Sequence, residues 1–328
     1  MAIWLVTIAT SPAIMKGDLI RMSGLKDISF VRFRAPDVEL GLRFLTDFGL
    51  TKSASANGST YLRCAGPQHH VYVLEEGSPE FIGFGFESET EDDLRALADQ
   101  CGAEVRESSE PGGGLIATVS DPDGYRVDII HGSTPVERGD MRPPLVLNYA
   151  DEKSRVNETQ RPEVGPAEIK RLGHIGIKVS SLPGSISWYS DRFGLKVTDV
   201  LTAGPEDHEV AAFLRLDRGS QPVDHHTIVI FESQQPKFHH CAFETQDYDA
   251  VETSHDWMRD HEWEHSFGVG RHLLGSQVFD YWFDPWGRKH EHFADGDLFD
   301  QTRETEHHPV DVSPIALWGP EPPANFIE

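Results

Sequence analysis

The sequence predicts an α+β protein made of tandem βαβββ modules, arranged as two similar domains. Three observations predict it. The chain has 328 residues, about twice the usual domain size of roughly 150. Landmarks of the first half return in the same order in the second. Period-two and helical patterns alternate in the same sequence around those landmarks.

The landmarks can be read off directly. Phe81-Ile-Gly-Phe-Gly-Phe-Glu-Ser88 is answered by Phe238-His-His-Cys-Ala-Phe-Glu-Thr245. Asp121-Pro-Asp-Gly124 is answered by Asp284-Pro-Trp-Gly287, and His69-His70-Val-Tyr by His225-His226-Thr-Ile. Each half opens with a strand and a helix that ends in Phe-Gly-Leu, at 48–50 and 193–195.

In the first half a helix is expected from Thr90, an N-cap with Asp93 three residues on, to Gly102. In the second, Ile175, Ile177 and Val179 alternate with His174, Gly176 and Lys178, as in a half-buried strand. Leu182, Ile186, Tyr189 and Phe193 then recur at helical spacing, and Gly194 stops the helix. Asp-Pro-x-Gly is turn chemistry between two strands. The expected division is an extension at 1–25, a metal-free domain at 26–132 and a linker at 133–168. A catalytic domain at 169–295 follows, then a tail at 296–328. The linker is rich in proline and charge. In the tail, Trp318, Phe326 and Ile327 offer apolar surface to lay over a site.

Composition narrows the function. With 29 Lys and Arg against 54 Asp and Glu, the net charge is −25, which argues against a nucleic-acid partner because such binding rests on cations meeting phosphates. No stretch approaches the roughly 20 apolar residues of a membrane span. Three cysteines without CxxC spacing suggest a reducing compartment, and the expectation is a cytoplasmic protein. The first residues have an apolar run whose basic residues, Lys16 and Arg21, follow it rather than precede it, unlike a secretory signal. An extension, or a true start at Met22, is the expected reading.

Histidine is the informative residue. Of 17, only His69, His70 and His131 precede residue 173. His208, His255, His261, His265, His307 and His308 read as solvated surface groups. His174 lies on the strand face opposite Ile175 and Ile177, His240 at the matching point of a later strand, and Glu291 after the second Asp-Pro-x-Gly turn. Two imidazoles and a carboxylate on one face of a metal leave positions open, as in non-haem Fe(II) oxygenases. Ungapped matching puts Ser29, Gly83 and Asp128 at these positions of the first half. One copy thus keeps a ligand set and the other does not.

Leu172-Gly-His-Ile-Gly-Ile-Lys-Val179, His239-His240-x-x-Phe243, and Gly270-Arg-His272 through Phe279-x-Tyr281 to Glu291 resemble type I extradiol catechol dioxygenases of the vicinal oxygen chelate superfamily. The resemblance spans about residues 26–295. It implies His174, His240 and Glu291 as metal ligands, His226 as acid–base catalyst, and His272 and Tyr281 as hydrogen-bonding partners of the substrate oxygens. It also implies Fe(II), with Mn(II) possible, a catecholic substrate, O₂ and a homo-oligomer. His225 and His239, the first members of their pairs, receive no role. Gly176 and Gly275 stand where some relatives carry polar side chains and are expected to shape the ring pocket. Trp282 and Trp286 are expected to pack in the core or at its rim.

Meta cleavage of a catechol by O₂ is the expected reaction. A hydroxyphenylpyruvate-type dioxygenase would not need His226, His272 and Tyr281 together, and a glyoxalase or glutathione transferase would want a fourth ligand. A metal-free binding protein of the same fold is the alternative outside enzymes.

Overall fold

The computed structural model describes residues 24–310 and 315–327. The expected N-terminal extension lies, up to residue 23, outside the described residues.

Four βαβββ modules follow one another, two in each half. The first contains β1 (Leu25–Ala35), α1 (Val38–Phe48), β2 (Thr51–Ala56), β3 (Ser59–Arg63) and β4 (Tyr72–Glu76). The second contains β5 (Glu80–Ser88), α2 (Glu91–Cys101), β6 (Arg106–Glu107), β7 (Leu115–Ser120) and β8 (Arg126–His131). After the intervening segment come β9 (Ile169–Val179), α3 (Leu182–Phe193), β10 (Lys196–Ala203), β11 (His208–Arg215), the short β12 (Val223–Asp224) and β13 (Ile228–Glu232). The last module has β14 (Lys237–Thr245), α4 (Tyr248–Asp260), β15 (His265–His272), β16 (Val278–Phe283) and β17 (Lys289–Ala294). The tail adds β18 (Leu298–Phe299), β19 (Glu306–Pro309) and β20 (Ala316–Trp318).

Local chemistry fixes the helix ends. Thr90 and Asp93 form a reciprocal capping box at the start of α2. Ser181 caps α3, which stops at Gly194 with φ of 67°. Both Asp-Pro-x-Gly segments close tight turns, with Gly124 N–H donating to the Asp121 carbonyl and Gly287 N–H to that of Asp284.

The modules build one sheet per half. The first runs β2-β3-β4-β1-β5-β8-β7-β6, and the second runs β19-β10-β11-β13-β9-β14-β17-β16-β15-β20. In each, the opening strands of the two modules pair antiparallel at the centre, β1 with β5 and β9 with β14. Each opening strand also pairs in parallel with the last long strand of its own module, for example β14 with β17. Tail strands β19 and β20 extend both edges of the second sheet.

A continuous apolar core joins the halves. Phe33 stacks on Tyr72 and meets the edge of Phe238, each at 5.0 Å. Helix α1 packs on α4, and α2 on α3. Trp263 Nε1 donates to Asp47, and Arg288 reaches the Arg34 carbonyl. Trp282 is buried and Trp286 is partly buried against the core.

Candidate metal centre and active site

Strands β9, β14 and β17 are neighbours, so one side chain from each converges on the concave face of the second sheet. Ala242 pairs with both His174 and Glu291, and His240 stands two residues along, on the same face as Ala242. His174 Nε2 is 3.2 Å from Glu291 Oε2, and His240 Nε2 is 3.6 Å from it. All three side chains are at most 4% exposed.

The donor set fits a divalent cation. Two donors each about 2.1 Å from one ion, at near-right angles, lie about 3 Å apart. Buried His240 Nε2 and Glu291 Oε1 have no hydrogen-bond partner in the protein, the condition expected of ligand atoms. Burial, with His239 and His174 nearby, pushes the His240 imidazole well below its ordinary value and keeps it neutral. Burial alone would raise the Glu291 carboxyl, but His174 and His272 bring it below the usual range. A neutral imidazole and a charged carboxylate are the ligating forms.

Cross-strand register corrects the matching of the first half. Gly85, the counterpart of Ala242, pairs with Phe30 and with Asp128. Phe30, not Ser29, therefore occupies the position of His174. The irregularity of β1 between Ile28 and Phe30 recurs in β9 between Leu172 and His174, so the two strands keep one constant offset and the Ser29 match stands one residue out of step with it.

The neighbouring wall holds the other three expected residues. His226, His272 and Tyr281 line, with His174 and His240, a cavity of about 380 Å³. The His272 Nε2 and Tyr281 hydroxyl are 2.9 Å apart, and the His226 ring lies 4.1 Å from that of His174. Burial and the Glu291 charge push the Tyr281 phenol well up, so it remains a donor. Leu201, Phe213, Phe231 and Ile315 supply apolar surface. From the tail, Phe326 is buried against Tyr281 and Phe267, whereas Trp318 and Ile327 are each 42% exposed.

Several expectations need correction. His226 lies outside β13, between bends at His225 and Thr227. Strict alternation would have sent it coreward with Ile228, and the bends turn it to the cavity. Gly176 touches the ligand rather than the ring pocket: a Cβ there would stand 2.4 Å from the His240 ring. Gly275 lies against His225 in the same way, at 3.2 Å.

His255, His265 and His308 are not simply solvated. The first two, with Trp282 Nε1, hydrogen-bond buried Asp280, and His308 is 3.0 Å from Asp199. Both clusters have the spacing to hold an ion, but Asp280 is already engaged by His255, His265 and Trp282, and Asp199 by His225 and His308.

Residues given no role by sequence reasoning hold the ligands in place. His239 Nε2 is 2.8 Å from the Phe326 carbonyl, and its Nδ1 is 2.6 Å from His240 Nδ1. For His240 Nε2 to keep a lone pair for a metal, His240 Nδ1–H must donate to His239 Nδ1, which puts the His239 hydrogen on Nε2, facing the Phe326 carbonyl; Lys289 Nζ stands 3.1 Å from that same Nε2. The signal was present in the sequence as the doubled histidine at 239–240.

Residues 171–291 match the model of the Glyoxalase/Bleomycin resistance protein/Dioxygenase superfamily. The match lies wholly within the second half and runs from β9 into β17. Over 307 residues the chain is 27% identical to Metapyrocatechase 2 of Cupriavidus necator, covering 92% of this chain and 91% of that one. The homoprotocatechuate 2,3-dioxygenase of Brevibacterium fuscum, solved with 3,4-dihydroxyphenylacetate, superposes with a TM-score of 0.75 at 21% identity, covering 94% of each chain. The Mn(II)-bound glyoxalase of Novosphingobium aromaticivorans superposes with 0.75 at 20% identity, covering 91% of this chain and 93% of that one. These superpositions establish a shared fold, and the stretch matched by the superfamily model includes all three candidate ligands.

Proposed function

We infer that the protein is an extradiol dioxygenase that opens a catechol ring beside the diol with O₂, using one Fe(II) held by His174, His240 and Glu291. The observation that carries this reading is the convergence of three buried ligand groups, two with unpartnered donor atoms, on a cavity also lined by His226, His272 and Tyr281. Similarity to a metapyrocatechase along nine-tenths of the chain supports it. When bound, the metal supplies Lewis acidity toward the catechol oxygens and open positions for O₂.

The remaining work falls to the protein. His226 Nε2 takes the second phenolic proton and later returns it to a departing oxygen. Tyr281 and His272 hydrogen-bond a substrate oxygen and stabilise charge developing on it. Phe213, Phe231 and Phe326 exclude water from the ring. None of the described residues lining the cavity is Lys or Arg, and one is the acid Glu232, which favours catechols with apolar substituents over carboxylated ones.

Oxygen uptake by the iron-loaded chain on a catechol panel, with absorbance of the yellow ring-opened product, tests the reading. Uptake of one O₂ per catechol with that product is expected. Ring opening without O₂ consumption, or no reaction with any catechol, would overturn it. The same reading makes the protein a cytoplasmic homo-oligomer, which sedimentation and cell fractionation test; its three cysteines are unpaired, as a reducing compartment requires.

A further inference from the structure

We propose that His225 and Asp199 are positioning residues that fix which nitrogen of His226 carries its proton. The proposal rests on the reading of His226 as the acid–base group. The three side chains form a buried line from β10 to the cavity, each at most 4% exposed. Asp199 Oδ2 lies 2.6 Å from His225 Nε2, and His225 Nδ1 lies 2.9 Å from His226 Nδ1.

The proton positions follow from what each atom can do. A carboxylate oxygen only accepts, so His225 Nε2 carries a hydrogen. With His225 neutral, its Nδ1 is then a lone pair, and the single proton between the two rings belongs to His226 Nδ1. His226 Nε2 is left unprotonated, in the form that can receive a proton from a substrate hydroxyl. Once it has received one, the imidazolium charge is stabilised through His225 by Asp199. A histidine held in one tautomer by a second group, itself backed by a buried acid, is the logic of a catalytic triad.

Asp199 is prepared for this task. Burial alone would raise its carboxyl, but His225 and His308 hold it below the usual range. Oδ1 receives His308 Nε2 at 3.0 Å and has Arg303 at 3.6 Å, both from the tail. Thr198 Oγ1 donates to the His225 carbonyl, and Phe213 and Phe299 pack on the His225 ring. The first half keeps a matching pair, with His69 Nδ1 3.3 Å from His70 Nδ1. His69 there has no carboxylate within ion-pair distance among the described residues.

The test compares His225→Leu, His225→Gln, Asp199→Ala and His226→Phe in the iron-loaded full chain. Gln can accept from His226 and donate to Asp199 through one amide, whereas Leu can do neither. His225→Leu and Asp199→Ala are expected to lower saturated turnover by roughly 10- to 100-fold, with iron content and catechol KM within about two-fold of the parent. His225→Gln is expected to restore turnover to within a few-fold. Ring ¹⁵N shifts of the zinc-loaded protein should show His226 protonated at Nδ1 in the parent and mixed in His225→Leu, a readout independent of activity.

If His226→Phe abolishes turnover while both relay variants keep it, the relay is wrong and the acid–base reading stands. If His226→Phe itself keeps turnover, that reading falls first. Should His225→Leu fail to fold, Asp199→Ala and the Gln rescue carry the same decision.

Discussion

Glu291 shows how much a single position concentrates. It is fully buried, sits within reach of His174, His240 and His272, and is the only carboxylate of its cluster. Glu291→Ala should therefore reduce bound metal from about one per chain to a small fraction, measured by elemental analysis after gel filtration. Undiminished metal would place the centre elsewhere. His226 is expected to behave differently. His226→Phe should leave iron and anaerobic catechol binding nearly intact while saturated turnover falls by ~10² or more. The three candidate ligands could be singled out in the sequence because the halves differ there, whereas His226, whose counterpart is His70, and His272 and Tyr281 entered only through the family resemblance. Asp199 could not, since it lies 26 residues before its partner and is one acid among 54. His255 and His265 misled for a related reason: only the fold brings Asp280 under them.

Among elements, the walls of the two cups have diverged in kind. The second is lined by Leu201, Val210, Phe213 and Phe231, so its substituent pocket should favour apolar groups. We expect kcat/KM for alkyl- or aryl-catechols to exceed that for carboxylated catechols by at least ~10-fold; equal values in a steady-state panel would refute this. The first cup is instead filled by buried Arg32, which pairs with Glu75 and Glu110. Burial alone would raise Glu110, but His70 and Arg32 hold it at about 2. A carboxyl depressed on folding adds stability above its ordinary value near 4.5, and that stability is lost as pH falls toward 2. The contribution is at most about 3 kcal/mol. Glu110→Gln should flatten the fall in urea stability between pH 5 and 3, and an unchanged slope would show the network to be idle. Helix ends and turns were legible because Thr90, Gly194 and Asp-Pro-x-Gly act locally. The bends before β13 were not, since pairing with distant strands decides where that strand begins.

For the whole molecule, the shared core predicts cooperative behaviour. Phe33 is fully buried between Tyr72 of its own half and Phe238 of the other, so Phe33→Ala should cost about 3–5 kcal/mol. Calorimetry should still show one transition, shifted to lower temperature; two separated transitions would mean that the halves fold independently. Glu291 also depends on the first half. The histidines on either side of it point away from the cup, His290 to the Tyr72 hydroxyl at 3.2 Å and His292 to the Phe48 carbonyl at 2.7 Å. The duplication, finally, cannot be undone by retracing its steps. The second copy would lose its candidate site with any one of His174, His240 and Glu291. Arming the first would require a histidine at Gly83, where a Cβ would stand 1.9 Å from the Arg126 carbonyl oxygen. It would also require removing the Phe30 ring and freeing Asp128 from Thr118 and Arg126. A neighbouring strand would have to move before any ligand could enter, so divergence between the halves runs in one direction only.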